Sequence, residues 1–336
     1  MDFKDYLSEH ASSLDDALAA PYTADLGHDD LSRYLTDPLR AFVENGGKRF
    51  RPLICRIACE LVGGDADDAL VAACAIEQFH SAALVHDDIA DESELRRGRP
   101  CLHRTEGVGA AVNDGDYALT VVTGSVAADP RLSDATKVRV IAELSEMMAR
   151  TVEGQALDIG WARDQVYDLS VDDYLFMATH KTAFYSGGTP LAIGGIIGGG
   201  TDKQVEGLRT FGLETGLAFQ IQDDLLNLVG GEGARRKDFR SDITEGKRTL
   251  VMVHALGVSS HADELVAILS SKTTDPARLE RAVQIARDSG SIAYAREYAR
   301  TLVERGKARL RRAFPDRSEQ RELLLSMADF FVERLS

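Results

Sequence analysis

The stretch DDALVAACAIEQFHSAALVHDD, residues 67–88, decides the fold class of this chain of 336 residues. Its apolar residues recur at spacings of three and four, which is the period of an α-helix with a buried face. The same period returns in KVRVIAELSEMMARTVEGQALDI (137–159) and in EGLRTFGLETGLAFQIQDDLLNL (206–228). Two-residue alternation, the pattern of half-buried strands, is scarcely seen. The sequence therefore predicts an all-α fold of long helices.

The composition indicates how many domains and which kinds of partner are expected. Hydrophobic residues make up 44% of the chain and charged residues 28%, as in ordinary soluble domains. A formal net charge of −15 disfavours nucleic acid, since phosphate backbones are bound by clustered Lys and Arg. No linker rich in Ser, Pro and Gly divides the chain. We therefore predict one domain over residues 31–336, preceded by an acidic helical or flexible segment over residues 1–30.

The cysteine spacing and the apolar stretches indicate the cellular compartment in which the protein is expected. The four cysteines form no CxxC pair, which argues against a zinc site or a disulfide framework. The N-terminus MDFKDYLSEH lacks the features of a signal peptide. The longest apolar stretch, PLAIGGIIGGG (190–200), is too short and glycine-rich to span a bilayer. We expect a cytoplasmic protein without a transmembrane segment.

The segment HDDIADESELRRGRP, residues 86–100, holds a first group of acids. Asp87 and Asp91 lie four residues apart and share one helix face, with Asp88 beside them. Such hard oxygen ligands suit Mg²⁺, which is normally also bound by substrate phosphates. Taken alone, the segment is also compatible with a solvated acidic helix end, or with the His-Asp pair of a metal phosphohydrolase.

A second group of acids decides between these alternatives. FQIQDDLLNL, residues 219–228, carries Asp223 and Asp224, with Asn227 where a third acid is expected. The surrounding residues are strongly apolar, and buried carboxylates are costly unless they are paired or bound to metal. The recurrence predicts two acidic clusters that hold several Mg²⁺ ions around one diphosphate.

Basic residues follow the acids closely along the chain. GGKRFRP (46–52) carries Lys48, Arg49 and Arg51 just before a predicted helix. THKTAFYS (179–186) and RRKDFRSDITEGKRTL (235–250) supply further lysines. Arginine binds phosphate oxygens in bidentate fashion and lysine acts as a point charge. We interpret this as two phosphate sites, one bridged by metal and one bound directly by basic side chains.

The ordered set GGKRFRP, HDDIADESELRRGRP, HKT, FQIQDDLLN and KDFRSDITEGK resembles the trans-polyprenyl diphosphate synthase family, over about residues 40 to 260. The resemblance implies a single bundle of long antiparallel helices around a deep central cavity, usually in a homodimer. It also implies head-to-tail condensation of isopentenyl diphosphate with an allylic diphosphate. Asn227 departs from the commoner third acid, but geranylgeranyl diphosphate synthases of eukaryotes carry the same DDxxN followed by EGK.

The resemblance also implies roles for individual residues. The predicted Mg²⁺ ligands are Asp87, Asp91 and Asp223, with Asp88. The residues predicted to bind isopentenyl diphosphate are Lys48, Arg51, His80 and Arg97. The residues predicted to bind the allylic diphosphate are Arg96, Lys181, Thr182, Gln220, Lys237 and Lys247. Of all these, Lys181, Asp223 and Arg96 are the predicted catalytic residues. No protein nucleophile is required, and the family implies that the released pyrophosphate takes the proton.

Product length is predicted from the helix that leads to Asp87. Shorter-chain members of the family carry aromatic residues four and five positions before the first acid, where this chain has Ala83 and Ala82. Phe79 lies about one turn, roughly 5 Å, deeper. We therefore predict a geranylgeranyl product of twenty carbons, with a farnesylgeranyl product of twenty-five as the alternative. A class I terpene cyclase and a non-catalytic synthase subunit are two further alternatives.

Overall fold

The computed structural model describes residues 1–230 and 239–333, and these are almost entirely helical. Within those ranges the only strands are Leu95–Arg96 (β1) and Arg99–Pro100 (β2), which form a two-residue antiparallel hairpin. The predicted all-α fold is confirmed. No helix in the described part of the chain is long and apolar enough to cross a membrane.

The described residues form two compact units. The first contains Met1–Met148, Thr189–Arg209 and Asp316–Leu324. Its complete helices are α1 (Phe3–His10), α2 (Asp15–Ala19), α3 (Asp29–Leu31), α4 (Asp37–Glu44), α5 (Phe50–Leu61), α6 (Leu70–Ala90), α7 (Leu102–Thr105), α8 (Val108–Ala128) and, later in the chain, Thr189–Ile197. Helix α6 packs against both α5 and α8, which explains why its side chains are buried almost all round. Residues 1–30 also contribute to this core, through side chains such as Phe3 and Leu14.

The second unit contains Ala149–Gly188, Thr210–Pro315 and residues from Leu325 to the end of the described chain. Two long helices, α9 (Asp134–Arg163) and α12 (Asp202–Val229), and the last helix, α18 (Glu319–Val332), have residues in both units. The helix Thr189–Ile197 is α11. The remaining elements are α10 (Val171–Ala178), a π-helix (Thr179–Gly188), α13 (Ser241–Glu245), α14 (Leu250–Val258), α15 (Ala262–Ser270), α16 (Pro276–Asp288) and α17 (Ser291–Ala313).

Short polar side chains begin several of these helices. Ser170 forms a capping box with Asp173 at the start of α10. Thr249 accepts from the backbone of Met252 at α14, and Asp275 caps α16. Each cap satisfies a backbone N–H that has no partner within the helix, and typically stabilises it by about 1 kcal/mol. The caps therefore fix where these helices begin.

Candidate active site

The basic loop between α4 and α5 turns one of its cations inward. Arg49 has a left-handed backbone (φ 52°), and its side chain is only 1% exposed. Its guanidinium lies 3.2 Å from the buried carboxylate of Glu77 and 3.4 Å from that of Asp15, and it also donates to the carbonyl of Val43. Arg49 thus anchors the loop in the first unit, a role that the sequence did not suggest.

Two of the residues predicted to bind isopentenyl diphosphate, Arg51 and Arg97, act electrostatically on a third, the half-buried His80. Burial lowers the pKa of His80 well below its ordinary value, and the charges of Arg51, Arg97 and Arg96 lower it further. The neutral form of the imidazole is therefore favoured. Lys48, the fourth predicted residue, is exposed on the loop that leads to Arg51.

A glycine allows the loop to approach these arginines. Gly47 has a φ of +151°, and a Cβ atom there would lie 3.1 Å from guanidinium nitrogens of both Arg49 and Arg97. The guanidinium of Arg97 also donates to the carbonyl of Gly46. Backbone and cations are thus held in direct contact, which a larger residue at position 47 would disturb.

The acids at the end of α6 point in different directions. Asp87 is half-buried in the last turn, and Asp91 follows the helix with its N–H bonded to the carbonyl of Asp87 at 2.8 Å. Asp88 is 1% exposed, and its Oδ1 atom accepts from Nε of Arg96 at 2.8 Å and from a second nitrogen of the same guanidinium. Asp88 therefore binds Arg96, while Asp87 and Asp91 share the face that helical spacing predicts.

The predicted chain-length positions lie one to two turns before these acids. Phe79 and Ala82 are buried, and Ala83 is half-buried. Deeper in the same unit, the hydroxyl of Tyr22 donates to Oε1 of Gln78 at 2.6 Å. Burial raises the pKa of Tyr22, and the neighbouring Tyr117 raises it further, which places a second tyrosine near this pair.

In the second unit, a chain of hydrogen bonds joins three elements around Asp224. Thr182 donates to Gln220 at 2.7 Å, and Gln220 donates to Asp224 at 2.7 Å. The buried hydroxyl of Tyr174 donates to the other oxygen of Asp224 at 2.8 Å. Asp223, by contrast, is exposed. The doublet therefore has one acid bound within the protein and one facing outward.

Lys181 is held by a carboxylate of α9. It lies in the π-helix Thr179–Gly188, a rare geometry that is often found at functional sites. Its ammonium group is bonded to Asp158, which is 7% exposed. A Cβ atom at Gly154 would lie 2.2 Å from the backbone nitrogen of Lys181, so only glycine allows this approach of α9.

Asn227 connects α12 to the segment that follows the undescribed residues. Its amide nitrogen donates to the hydroxyl of Ser241 at 3.2 Å, and its amide oxygen accepts from the backbone N–H of Asp242 at 3.4 Å. A carboxylate has no donor for the serine and would add a charge beside Asp242. The asparagine therefore has a structural explanation.

A buried arginine holds the adjoining lysine in place. Arg248 is 1% exposed and donates to the carbonyls of Val166 at 2.6 Å and Trp161 at 3.1 Å. Lys247, the preceding residue, lies 2.6 Å from Glu245 and 3.9 Å from Asp242.

Negative charge is concentrated in this part of the second unit. Burial raises the pKa of Asp242 to about 7, and Glu245, Asp158 and Asp223 raise it further, while Lys247 opposes the shift. Burial, and then the charges of Asp242 and Asp223, raise the pKa of Asp224. Crowded carboxylates of this kind are stabilised by a cation. The donor set therefore fits Mg²⁺.

No three His, Cys, Asp or Glu side chains in the described ranges 1–230 and 239–333 form a metal-binding group by themselves. Mg²⁺ usually keeps several waters and takes one or two carboxylates together with substrate phosphates. Asp87, Asp91 and Asp223 offer carboxylates of that kind.

Sequence reasoning missed several residues that hold the predicted ones. These are Glu77, Tyr174, Asp242 and Arg248. Asp242 stands in SDITEGK, where an acid beside a motif was the only available signal. Lys237, predicted to bind the allylic diphosphate, lies outside the described residues.

Comparisons with known proteins give the family of this chain. The family model described as polyprenyl synthetase matches residues 32–286. A geranylfarnesyl diphosphate synthase of Natronomonas pharaonis is 37% identical, over 90% of this chain and 89% of that protein.

Two solved structures are also similar. The geranylgeranyl pyrophosphate synthetase of Pyrococcus horikoshii superposes with a TM-score of 0.90 at 30% identity, covering 99% of this chain and 98% of that one. A geranylgeranyl pyrophosphate synthase of Corynebacterium glutamicum, complexed with isoprenyl diphosphate and magnesium, has a TM-score of 0.86 at 29% identity, covering 99% and 98%. With the family match extending over most of its length, this chain belongs to the polyprenyl synthetase family and is a trans-prenyltransferase.

Proposed function

We propose that this trans-prenyltransferase condenses isopentenyl diphosphate head to tail with allylic diphosphates and releases geranylgeranyl diphosphate. The observation that carries the proposal is the basic cluster at the loop of residues 46–52, where Arg97 contacts Gly46 and Gly47 and the charges of Arg51 and Arg97 act on His80. A terpene cyclase ionises one diphosphate and needs no second diphosphate site. Arg51 and Arg97, together with Lys48, supply such a site without metal, and this favours condensation of two diphosphates.

Mg²⁺ ions would be held by Asp87 and Asp91 in the first unit and by Asp223 in the second, and these carboxylates are exposed or half-buried. Bound Mg²⁺ acts as a Lewis acid that stabilises the charge on a departing diphosphate. The magnesium complex of the Corynebacterium glutamicum protein supports this metal. Asp88 is buried against Arg96, so we assign it to hold that arginine in place.

The residues of the second unit would bind and orient the allylic diphosphate. Lys181 and Lys247 supply positive charge, while Thr182 and Gln220 supply polar contacts. The bond between the allylic carbon and its diphosphate oxygen breaks, and the diphosphate leaves with the electron pair. The double bond of isopentenyl diphosphate then forms the new carbon–carbon bond. The proton lost afterwards passes to the released diphosphate.

The helix before Asp87 supports a product of twenty carbons. Ala82 and Ala83 leave the near positions small, and Phe79 is the first large side chain further along this face. The Natronomonas pharaonis relative is a geranylfarnesyl diphosphate synthase, so a product of twenty-five carbons is the alternative.

A homodimer is supported by an exposed apolar face of α9. Val138 is 68% exposed in the first unit, and Val152 is 66% exposed in the second. The exposed residues that follow a three-and-four spacing are Ala135, Val138, Ala142 and Ser145 in the first unit, and Ala149, Val152, Ala156 and Ile159 in the second. Exposed apolar faces of this kind usually form protein interfaces. Light scattering of the Val152→Lys variant should report a shift from dimer to monomer.

The proposed reaction is tested with radiolabelled isopentenyl diphosphate, Mg²⁺ and either geranyl or farnesyl diphosphate. Chromatography of the dephosphorylated products should show an all-trans alcohol of twenty carbons. A variant with Lys48→Gln and Arg51→Gln is the control, and it should require far more isopentenyl diphosphate. Conversion of the allylic substrate to hydrocarbon without uptake of label would instead show a cyclase.

A further inference from the structure

A cleft of about 420 Å³ lies within the second unit, where α12, α17 and α18 meet. Its walls combine apolar side chains with polar and charged ones. The lining residues are Gln222, Arg296, Arg300, Val303, Glu304, Asp329, Val332 and Glu333. The proposed mechanism uses none of them.

Two exposed arginines line this cleft without a partner among the described residues. Arg296 and Arg300 are four residues apart on α17 and therefore share one helix face. Neither forms a hydrogen bond or ion pair with any residue in the described part of the chain. On the same helix, Arg305 and Arg309 bind Glu214 at 2.5 Å and 3.0 Å. In a chain of net charge −15, two adjacent cations that form no ion pair with a described acid are an arrangement suited to an anion.

A buried amide faces the same space. Gln222 is 3% exposed, and its side-chain nitrogen has no hydrogen-bond partner among the described residues. Buried donors in proteins are nearly always paired, so an unpaired one indicates a missing acceptor. The acceptor expected beside two guanidinium groups is an anionic oxygen.

The acids that line the cleft form no ion pair with Arg296 or Arg300 among the described residues. Glu304 accepts from Lys307 at 3.1 Å, and the same ammonium group also binds Asp329. Their charge is thus partly neutralised by Lys307. Glu333 is the third acid and lies at the exposed end of α18. Val303 and Val332 add apolar surface that an attached hydrocarbon chain would contact.

We propose that this cleft is a second diphosphate site, separate from the substrate site, formed by Arg296, Arg300 and the amide of Gln222. The diphosphate group would come from inorganic diphosphate released in the reaction or from a prenyl diphosphate product. The choice of ligand rests on the proposed function, whereas the site itself rests on the unpaired donors. Since Gln222 precedes Asp223 in α12, an occupied cleft would restrain the segment that bears this acid.

Isothermal titration of the full chain with inorganic diphosphate, without added metal, tests the site. The wild-type chain should show two binding classes. Arg296→Gln with Arg300→Gln should weaken one class at least tenfold, and Gln222→Leu should weaken the same class. The matched control is Arg311→Gln with Arg312→Gln, which removes the same charge from exposed positions of α17 and should change nothing.

A third variant separates this proposal from the proposed function. Lys48→Gln with Arg51→Gln should weaken the other class and leave the cleft class intact. If the proposed function is wrong, the Lys48 and Arg51 variant should bind inorganic diphosphate like the wild type. The Arg296 and Arg300 variant should still lose the binding class of the cleft. Unchanged binding in the Arg296 and Arg300 variant would overturn the second site.

Titration with geranyl diphosphate distinguishes the two sources. Binding to the cleft that is at least tenfold tighter than that of inorganic diphosphate would identify a prenyl product. Equal affinities would identify the free anion.

Discussion

The ion pair between Arg49 and Glu77 allows a direct test of how the basic loop is held. We consider Arg49→Met, which keeps much of the side-chain volume and removes the charge. Both partners are at most 2% exposed, and Oε2 of Glu77 has no hydrogen bond among the described residues. Arg49 is therefore the main compensation for a carboxylate that water cannot reach.

Removing one partner of a buried ion pair leaves the other charge uncompensated and typically costs about 3–5 kcal/mol. Asp15 cannot take over, because it is itself an acid and is 51% exposed. We therefore expect Arg49→Met to lower the free energy of unfolding by about 3–5 kcal/mol. Combining it with Glu77→Leu should recover most of this loss, since well-packed apolar pairs often replace buried ion pairs at little cost.

Urea denaturation measures these differences as shifts of the midpoint at constant slope. The matched control is Arg40→Met, which breaks the exposed pair with Asp37 and should cost less than about 1 kcal/mol. The stable double variant should still show a raised KM for isopentenyl diphosphate, because Lys48 and Arg51 flank the altered residue. A loss in Arg49→Met no larger than in the control, or a double variant no more stable than the single one, would refute the reasoning.

Four further predictions concern the site and the core. Asp223→Ala should leave less than about a tenth of wild-type turnover with an unchanged urea midpoint, since this acid is exposed and is proposed to bind Mg²⁺. Activity above that level would remove Asp223 from the metal site. Arg97→Ala should mainly raise the KM for isopentenyl diphosphate, because the lost contact costs about 2–3 kcal/mol of binding free energy. A change confined to the KM for the allylic substrate would assign Arg97 to the allylic diphosphate instead. Ala82→Phe should shorten the product to farnesyl diphosphate, as judged by chromatography of the alcohols, whereas an unchanged length would place the barrier elsewhere. Burial, and secondarily Glu106, raises the pKa of Asp114 to about 7 from an ordinary value of 3.8, so folding favours the protonated acid. Stability should therefore fall as pH rises through this interval, and Asp114→Asn should remove the share of the fall that Asp114 contributes and add about 2–4 kcal/mol at pH 8; parallel pH profiles of the two proteins would contradict this.

Much of the fold was predictable because burial follows the helical period. The period in residues 67–88 corresponds to α6, and those in 137–159 and 206–228 lie within α9 and α12. The direction of Asp88 was also accessible from helix geometry, since a residue next to Asp87 points about 100° away from it. The close approach of Gly154 to the π-helix around Lys181 was not, because it brings together residues of two different helices.

Which cation of the loop pairs within the protein could not be read from the motif. Lys48, Arg49 and Arg51 are all basic, and the sequence does not indicate that Lys48 is exposed while Arg49 pairs with Glu77. The left-handed backbone at Arg49 decides this, and its cost is offset by the ion pair with Glu77, almost thirty residues away. Residue type therefore predicted the chemistry of the loop, while a contact distant in sequence determines that the side chain of Arg49 points into the protein.

Asn227 stands where the motif commonly has a third acid, and its hydrogen bonds explain this departure. The sequence predicts an active variant by resemblance, without stating what the amide does. The amide both donates to Ser241 and accepts from the backbone of Asp242, and a carboxylate can only accept. An aspartate here would also raise the pKa of Asp242 further, since that acid is already crowded by Glu245, Asp158 and Asp223. The asparagine thus binds the SDITEGK segment to α12 without adding charge, while Asp223, the exposed acid of the doublet, is the one proposed to bind Mg²⁺.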